Sequence, residues 1–96
     1  MKTTKEIEER IKDFKPFLTE KFKVKEIGIF GSYVRGEASE ESDVDILVEF
    51  YEPIGWEFFD LKETLEEILG KKVDIVTMKA LKPQLRNKFL NEVVYT

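Results

Sequence analysis

The stretch Asp43-Val44-Asp45-Ile46-Leu47-Val48-Glu49-Phe50 constrains this chain more than any other. Its apolar residues alternate with a period of two, the signature of a β-strand with one covered face. Val44, Ile46, Val48 and Phe50 fall on one side, and Asp43, Asp45 and Leu47 on the other. Such a strand needs a sheet whose first face is roofed by helices and whose second face tolerates carboxylates.

The flanking segments supply that setting. Thr3 or Thr4, followed by Glu6, reads as the cap of a first helix, with Ile7, Ile11, Phe14, Phe17, Leu18 and Phe22 as its apolar stripe. Pro16 is expected to kink or restart it. Residues 25–30 read as a strand running into Gly31-Ser32, then a single helical turn from Tyr33 to Gly36, then a polar loop to Ser42. Pro53 and Gly55 mark a turn. Residues 56–69 read as a helix with core positions Phe58, Leu61, Leu65, Ile68 and Leu69, stopped by Gly70. Lys72 to Thr77 is a further strand. Pro83 opens a last helix with Leu85, Phe89 and Leu90 inward, and Val93-Val94-Tyr95 is a short final strand. The order is α-β-α-β-α-β-α with a closing strand. This predicts an α+β domain of α/β-like character, a mixed sheet packed on helices, with residues 1–96 forming one domain. No repeat, low-complexity tract or linker interrupts it.

The chain of 96 residues contains neither cysteine nor histidine. Thiol nucleophiles, zinc fingers, iron–sulfur sites, Ser-His-Asp triads and imidazole bases are therefore excluded. Any catalysis must rest on carboxylates, hydroxyls, Lys, Arg and backbone amides, with a hard metal ion as a further option. The N-terminal residues have no apolar signal core and no stretch approaches a membrane span, so a cytoplasmic protein without membrane contact is expected. Charge is uneven: residues 1–70 carry 10 basic and 18 acidic side chains, residues 71–96 carry 6 and 2. The basic Lys79, Lys82, Arg86 and Lys88 read as a solvated face by default, or as a surface for phosphates or an acidic partner.

One constellation carries chemistry. Asp43 and Asp45 leave the same strand face with Cα atoms about 6–7 Å apart. Alone, an Asp-x-Asp is ordinarily a solvated strand end. Asp74, set between Val73 and Ile75 in another strand, also points off the apolar face. Three carboxylates on one sheet face can hold two Mg²⁺ or Mn²⁺ ions about 3.5–4 Å apart, an arrangement suited to phosphoryl and nucleotidyl transfer. Gly31 and Ser32, at a strand-to-helix corner, let backbone and hydroxyl donors approach a triphosphate. Arg35 can fork onto phosphate oxygens, although an isolated Arg is more often a surface ion-pair residue.

Gly-Ser, ten residues, Asp-x-Asp and a distant strand Asp together resemble the DNA polymerase β-like nucleotidyltransferase superfamily. The short chain and the form Gly31-Ser32-Tyr33-Val34-Arg35-Gly36 resemble its minimal nucleotidyltransferases, the MNT or MntA-type proteins. The likeness runs from about Ile7 to Tyr95 and includes Phe58 to Lys62 and Leu69 to Val76. It implies a polymerase β-like palm. It further implies that Gly31, Ser32, Arg35 and Ser42 contact the phosphates of ATP, that Asp43 and Asp45 ligate two Mg²⁺ ions, and that Asp74 ligates one of them and helps deprotonate the attacking hydroxyl. The chain stops about where the palm-like unit stops, so a partner is expected to present the acceptor.

In MntA-type proteins that partner is a HEPN-domain toxin, and AMP passes from ATP to a toxin tyrosine. The resemblance thus implies an antitoxin and a hetero-oligomer, with no direct DNA binding. Two other readings stand beside it: an antitoxin that neutralises by contact alone, and a nucleotidyltransferase for a small molecule such as an antibiotic. Trp56 and Phe59 fall off the apolar stripe of their helix and are assigned to core, nucleotide site or docking face without a choice among them. Tyr33 and Tyr95 are equally open.

Overall fold

The computed structural model describes residues 3–96, apart from the side chains of Leu85 and Phe89. The elements follow the order α1 (Thr4–Phe22), β1 (Val24–Phe30), α2 (Ser32–Arg35), β2 (Val44–Phe50), α3 (Glu57–Leu69), β3 (Val73–Thr77), α4 (Pro83–Glu92) and β4 (Val94–Tyr95), with a 3₁₀ turn at Met78–Ala80. The strands form one sheet in the order β3-β2-β1-β4. β1 is antiparallel to both β2 and β4, while β2 and β3 run parallel. The parallel pair follows from α3, because a crossover long enough to return the chain to the same sheet edge needs a helix. The sheet is thus mixed, as expected.

The alternation in β2 sorts its side chains as the sequence predicts. Val44, Ile46 and Val48 join Ile27, Ile29 and Val73 in a core roofed by Ile7, Ile11, Leu18 and Phe22 of α1 and by Leu61, Leu65, Ile68 and Leu69 of α3. On the opposite face, Phe30, Leu47 and Leu81 form a smaller cluster against which Val76, Met78, Leu90 and Val93 pack. The sheet therefore separates a large core on one side from a partly covered face, where α4 lies, on the other.

Local chemistry sets the element ends. Thr3 is the cap of α1: its Oγ1 accepts from the Glu6 amide at 3.1 Å, and Glu6 Oε1 accepts in return from the Thr3 amide at 3.4 Å, a reciprocal capping box. Thr4 does something else, and its hydroxyl donates to the Tyr33 carbonyl at 2.6 Å, tying α1 to α2. α1 runs through Pro16 without restarting. Pro16 and Lys12 are both on the exposed side, so the carbonyl left unbonded by the missing N–H is open to solvent. Phe14 and Phe17, expected in the stripe, are 39% and 43% exposed. A helical stripe is buried only where a partner lies beneath it, and the sheet and α3 cover a narrower strip than these residues span. Gly70, with φ 66°, ends α3 and donates its amide to the Glu66 carbonyl. Leu90 packs inward as expected, whereas the expectation for Leu85 and Phe89 lies outside the described residues. Among the described residues, no helix is long and apolar enough to cross a membrane.

Candidate active site

The corner at Gly31-Ser32 is folded onto Asp45. Gly31 has φ 78° and ψ −147°, a conformation that L side chains rarely adopt, and a Cβ there would overlap the Asp45 carboxylate. The requirement for glycine is thus double: backbone angle and close approach. The Ser32 amide lies where it favours the charged form of the Asp45 carboxylate, so Gly31, Ser32 and Asp45 are grouped closely. α2 follows for one turn and closes at Gly36, whose φ is 75°. Tyr33 anchors it: the side chain is buried in the main core, its hydroxyl has no partner among the described residues, and Lys71 Nζ lies 5.8 Å from the ring centroid.

Asp45 stands directly opposite Asp74 in the parallel register of β2 and β3. Residues paired in this way project from the same face, and it is the face of Phe30 and Leu47 rather than that of the large core. Asp43 precedes β2 and is exposed, Asp74 is exposed, and Asp45 is half-buried. Burial, together with the charges of Asp74 and then Asp43, pushes the Asp45 carboxyl above the usual carboxylate range, against the opposing pull of Arg35 and the Ser32 amide. No ion pair among the described residues engages Asp43, Asp45 or Asp74. As they stand, no three acidic side chains among the described residues converge closely enough to cage a metal ion. The donor set is of hard oxygens, and the charges of Asp74 and Asp43 bear on Asp45, so the chemistry of these residues fits a divalent cation such as Mg²⁺.

Arg35 is engaged by acids. Its Nε donates to Glu37 at 3.2 Å and its Nη1 to Glu92 at 2.7 Å. The ordinary role of a surface arginine is therefore realised here, while its field still reaches Asp45. Ser42 is likewise occupied within its own loop: its Oγ accepts from the Ser39 amide at 2.9 Å. That loop is fixed from below, with Lys71 Nζ donating to the Glu40 carbonyl at 2.8 Å and the Val44 amide to the Lys72 carbonyl at 3.0 Å.

Sequence reading did not single out Glu37, Glu92 or Lys71, and it offered Thr4 only as an alternative helix cap. Glu92 lies 57 positions from Arg35, and no local pattern signals such a pairing. Lys79, Lys82, Arg86 and Lys88 are all exposed. Trp56, 84% exposed, and Phe59, 63% exposed, stack on each other with centroids 5.9 Å apart and belong to the surface, not the core. Near them, at the opposite ends of β2 and β3 from the carboxylates, lies a cavity of about 430 Å³ lined by Phe50, Tyr51, Ile54, Phe58 and Met78 among others. It is apart from the Gly31–Asp45 unit.

Comparison with known proteins identifies the family. The nucleotidyltransferase domain model matches residues 11–96. The protein adenylyltransferase MntA of Thermococcus cleftensis is 52% identical over 96 residues, covering 99% of this chain and 97% of the relative. A solved structure assigned provisionally as a minimal nucleotidyltransferase superposes with a TM-score of 0.83 at 34% identity, covering 97% of this chain and 95% of the other. The fold is shared also with a chain from the complex of the tri-AMPylated Shewanella oneidensis HEPN toxin with its MNT antitoxin, at a TM-score of 0.61 and 22% identity, covering 90% of this chain and 66% of that one. Sequence and fold agree: the chain belongs to the nucleotidyltransferase family, in its minimal MntA-type group, and is an enzyme of nucleotidyl transfer.

Proposed function

We propose that this protein is the antitoxin of a toxin–antitoxin pair and transfers AMP from ATP to a tyrosine hydroxyl of a HEPN-domain toxin. The observation that carries the reading is the direct contact of the Gly31-Ser32 corner with Asp45, itself in register with Asp74. A phosphate seated on that corner lies beside the carboxylates, where charge must be managed during transfer. The 52% identity to a protein adenylyltransferase supports the choice of AMP and of a protein acceptor.

In this reading, the Gly31 backbone and the Ser32 hydroxyl hold the triphosphate. Arg35 takes a non-transferred phosphate with the N–H groups its acids leave open. Ser42, at the end of the loop, flanks the phosphates. Asp43, Asp45 and Asp74 would hold two Mg²⁺ ions, which when bound neutralise the triphosphate and acidify the acceptor hydroxyl. Asp74 accepts the phenolic proton as the oxygen attacks the α-phosphorus. The new O–P bond forms as the bond from the α-phosphorus to the bridging oxygen breaks, and pyrophosphate departs. No imidazole is required, consistent with the absence of His.

The test is transfer of label from α-³²P-ATP to the purified HEPN partner in Mg²⁺, with the acceptor mapped by mass spectrometry. Label on a partner tyrosine, lost in D43N/D45N, is the expected outcome. A tight complex without transfer would instead mean neutralisation by contact, and label on an aminoglycoside without any protein acceptor would mean a small-molecule enzyme. Either result overturns the proposal.

A further inference from the structure

Resting on the reading that ATP binds at the Gly31-Ser32 corner, we infer that Glu92 is a positioning residue for the nucleotide: from the end of α4 it holds the Arg35 guanidinium at the corner, so that the remaining donors of that group meet the triphosphate. The argument begins with what is fixed and what is free. Arg35 closes a single helical turn bracketed by Gly31 and Gly36, both at positive φ. Its side chain is 49% exposed, whereas that of Glu92 is only 19% exposed. A long, half-exposed arginine on a one-turn helix samples many rotamers unless something holds it.

Of its two acids, Glu37 sits two residues on and moves with the same loop. Glu92 comes from another element, whose neighbours Leu90 and Val93 pack against Phe30, Leu47 and Leu81. Phe30 is in turn the β1 partner of Asp45. The Arg35–Glu92 bond at 2.7 Å therefore ties the corner to the same packed face that carries the carboxylates.

Donor counting decides between a holder and a competitor. A guanidinium has five N–H groups in a planar fork. Glu37 takes Nε–H and Glu92 takes one hydrogen of Nη1. Three donors stay available, so a phosphate can be bound without releasing Glu92. A carboxylate acting as a stand-in for the phosphate would have to be displaced, and its removal would strengthen ATP binding; a holder's removal weakens it. The two roles have opposite signs.

The experiment titrates the 96-residue protein with the fluorescent analogue mant-ATP in Mg²⁺ and records a thermal melt of each variant without nucleotide. E92A is expected to weaken binding roughly tenfold, the scale of one well-placed charge-assisted contact, and E92Q, which keeps an acceptor for Nη1, only about twofold. In an R35A background, E92A should cause no further loss. Binding by E92A or E92Q as tight as, or tighter than, that of the parent protein overturns the inference, as do losses at Arg35 and Glu92 that simply add. If E92A melts below the assay temperature, E92Q decides. A parent protein that binds no mant-ATP fails differently, because it removes the nucleotide reading itself.

Discussion

At Asp45 the interests of folding and of chemistry oppose each other. Its carboxylate is half-buried, faces Asp74 in register and lies near Asp43, and burial together with those charges raises its pKa. The sign of the consequence follows from linkage. A carboxyl whose folded pKa exceeds its unfolded value contributes stability that is fully present below the unfolded pKa and is lost as pH rises through the folded one. At neutral pH, without metal, charged Asp45 is therefore a net cost to the fold. The substitution D45N removes the charge yet keeps the size and an amide oxygen near the Ser32 backbone. Free of metal and nucleotide, D45N should melt above the parent protein at pH 7, and the gap should close as pH falls through the carboxylate range, while nucleotidyl transfer is abolished. Melts of both proteins in EDTA from pH 3 to pH 8 check this, and a parent protein that is the more stable of the two at pH 7 refutes it. In the proposed function, the residue that transfer relies on is thus one that the metal-free fold would prefer neutral.

Among the elements, α1 shows how local signals translate into stability. The reciprocal Thr3–Glu6 bonds satisfy donors at the helix start that otherwise have no intrahelical partner. T3A should cost about 1 kcal/mol, or about 4–8 °C in Tm for a domain of this size, without changing the nucleotide affinity; differential scanning calorimetry with a parallel mant-ATP titration measures both. The box was legible because its partners are three residues apart. β2 was legible for the same reason, since period two is written in consecutive residues, and Gly31 announced a turn through its own lack of a side chain. The register that sets Asp74 beside Asp45 was only half visible. Each strand's alternation placed its own carboxylate off the apolar face, but the pairing depends on how α3 returns the chain. The Arg35–Glu92 bond had no sequence signal, being a meeting of two exposed-type residues brought together by the docking of α4. Phe14 and Phe17 mark the reverse limit: they have the spacing of buried residues and lack the partner surface. Exposed Trp56 and Phe59 show the same limit, for periodicity placed them off the stripe without saying what lay there.

For the whole molecule, the sheet acts as a partition. The large core on the α1–α3 side holds β1, β2 and β3 rigidly, and the carboxylates and the Gly31-Ser32 corner are carried on the other side or at its edge. Ligand binding there should couple to global stability, because the corner is continuous with β1, Asp45 with β2 and Asp74 with β3, so unfolding any of the three strands destroys the site. A ligand that binds only the folded state stabilises it by mass action, roughly 2.7 kcal/mol at a hundred times its Kd. In a domain of this size that corresponds to a rise in Tm of about 10 °C or more. The contributions are not expected to be independent. Mg²⁺ alone relieves the repulsion around Asp45 and should give a small rise. ATP without Mg²⁺ brings a polyanion toward three carboxylates, with Arg35 the cation whose field reaches Asp45, and should give almost none. Together they should exceed the sum of the two. The same measurement on D45N should show the joint shift collapse, although that variant starts from a higher melting point. Equal shifts for ATP with and without Mg²⁺, or a joint shift retained in D45N, would place the nucleotide away from the carboxylate face.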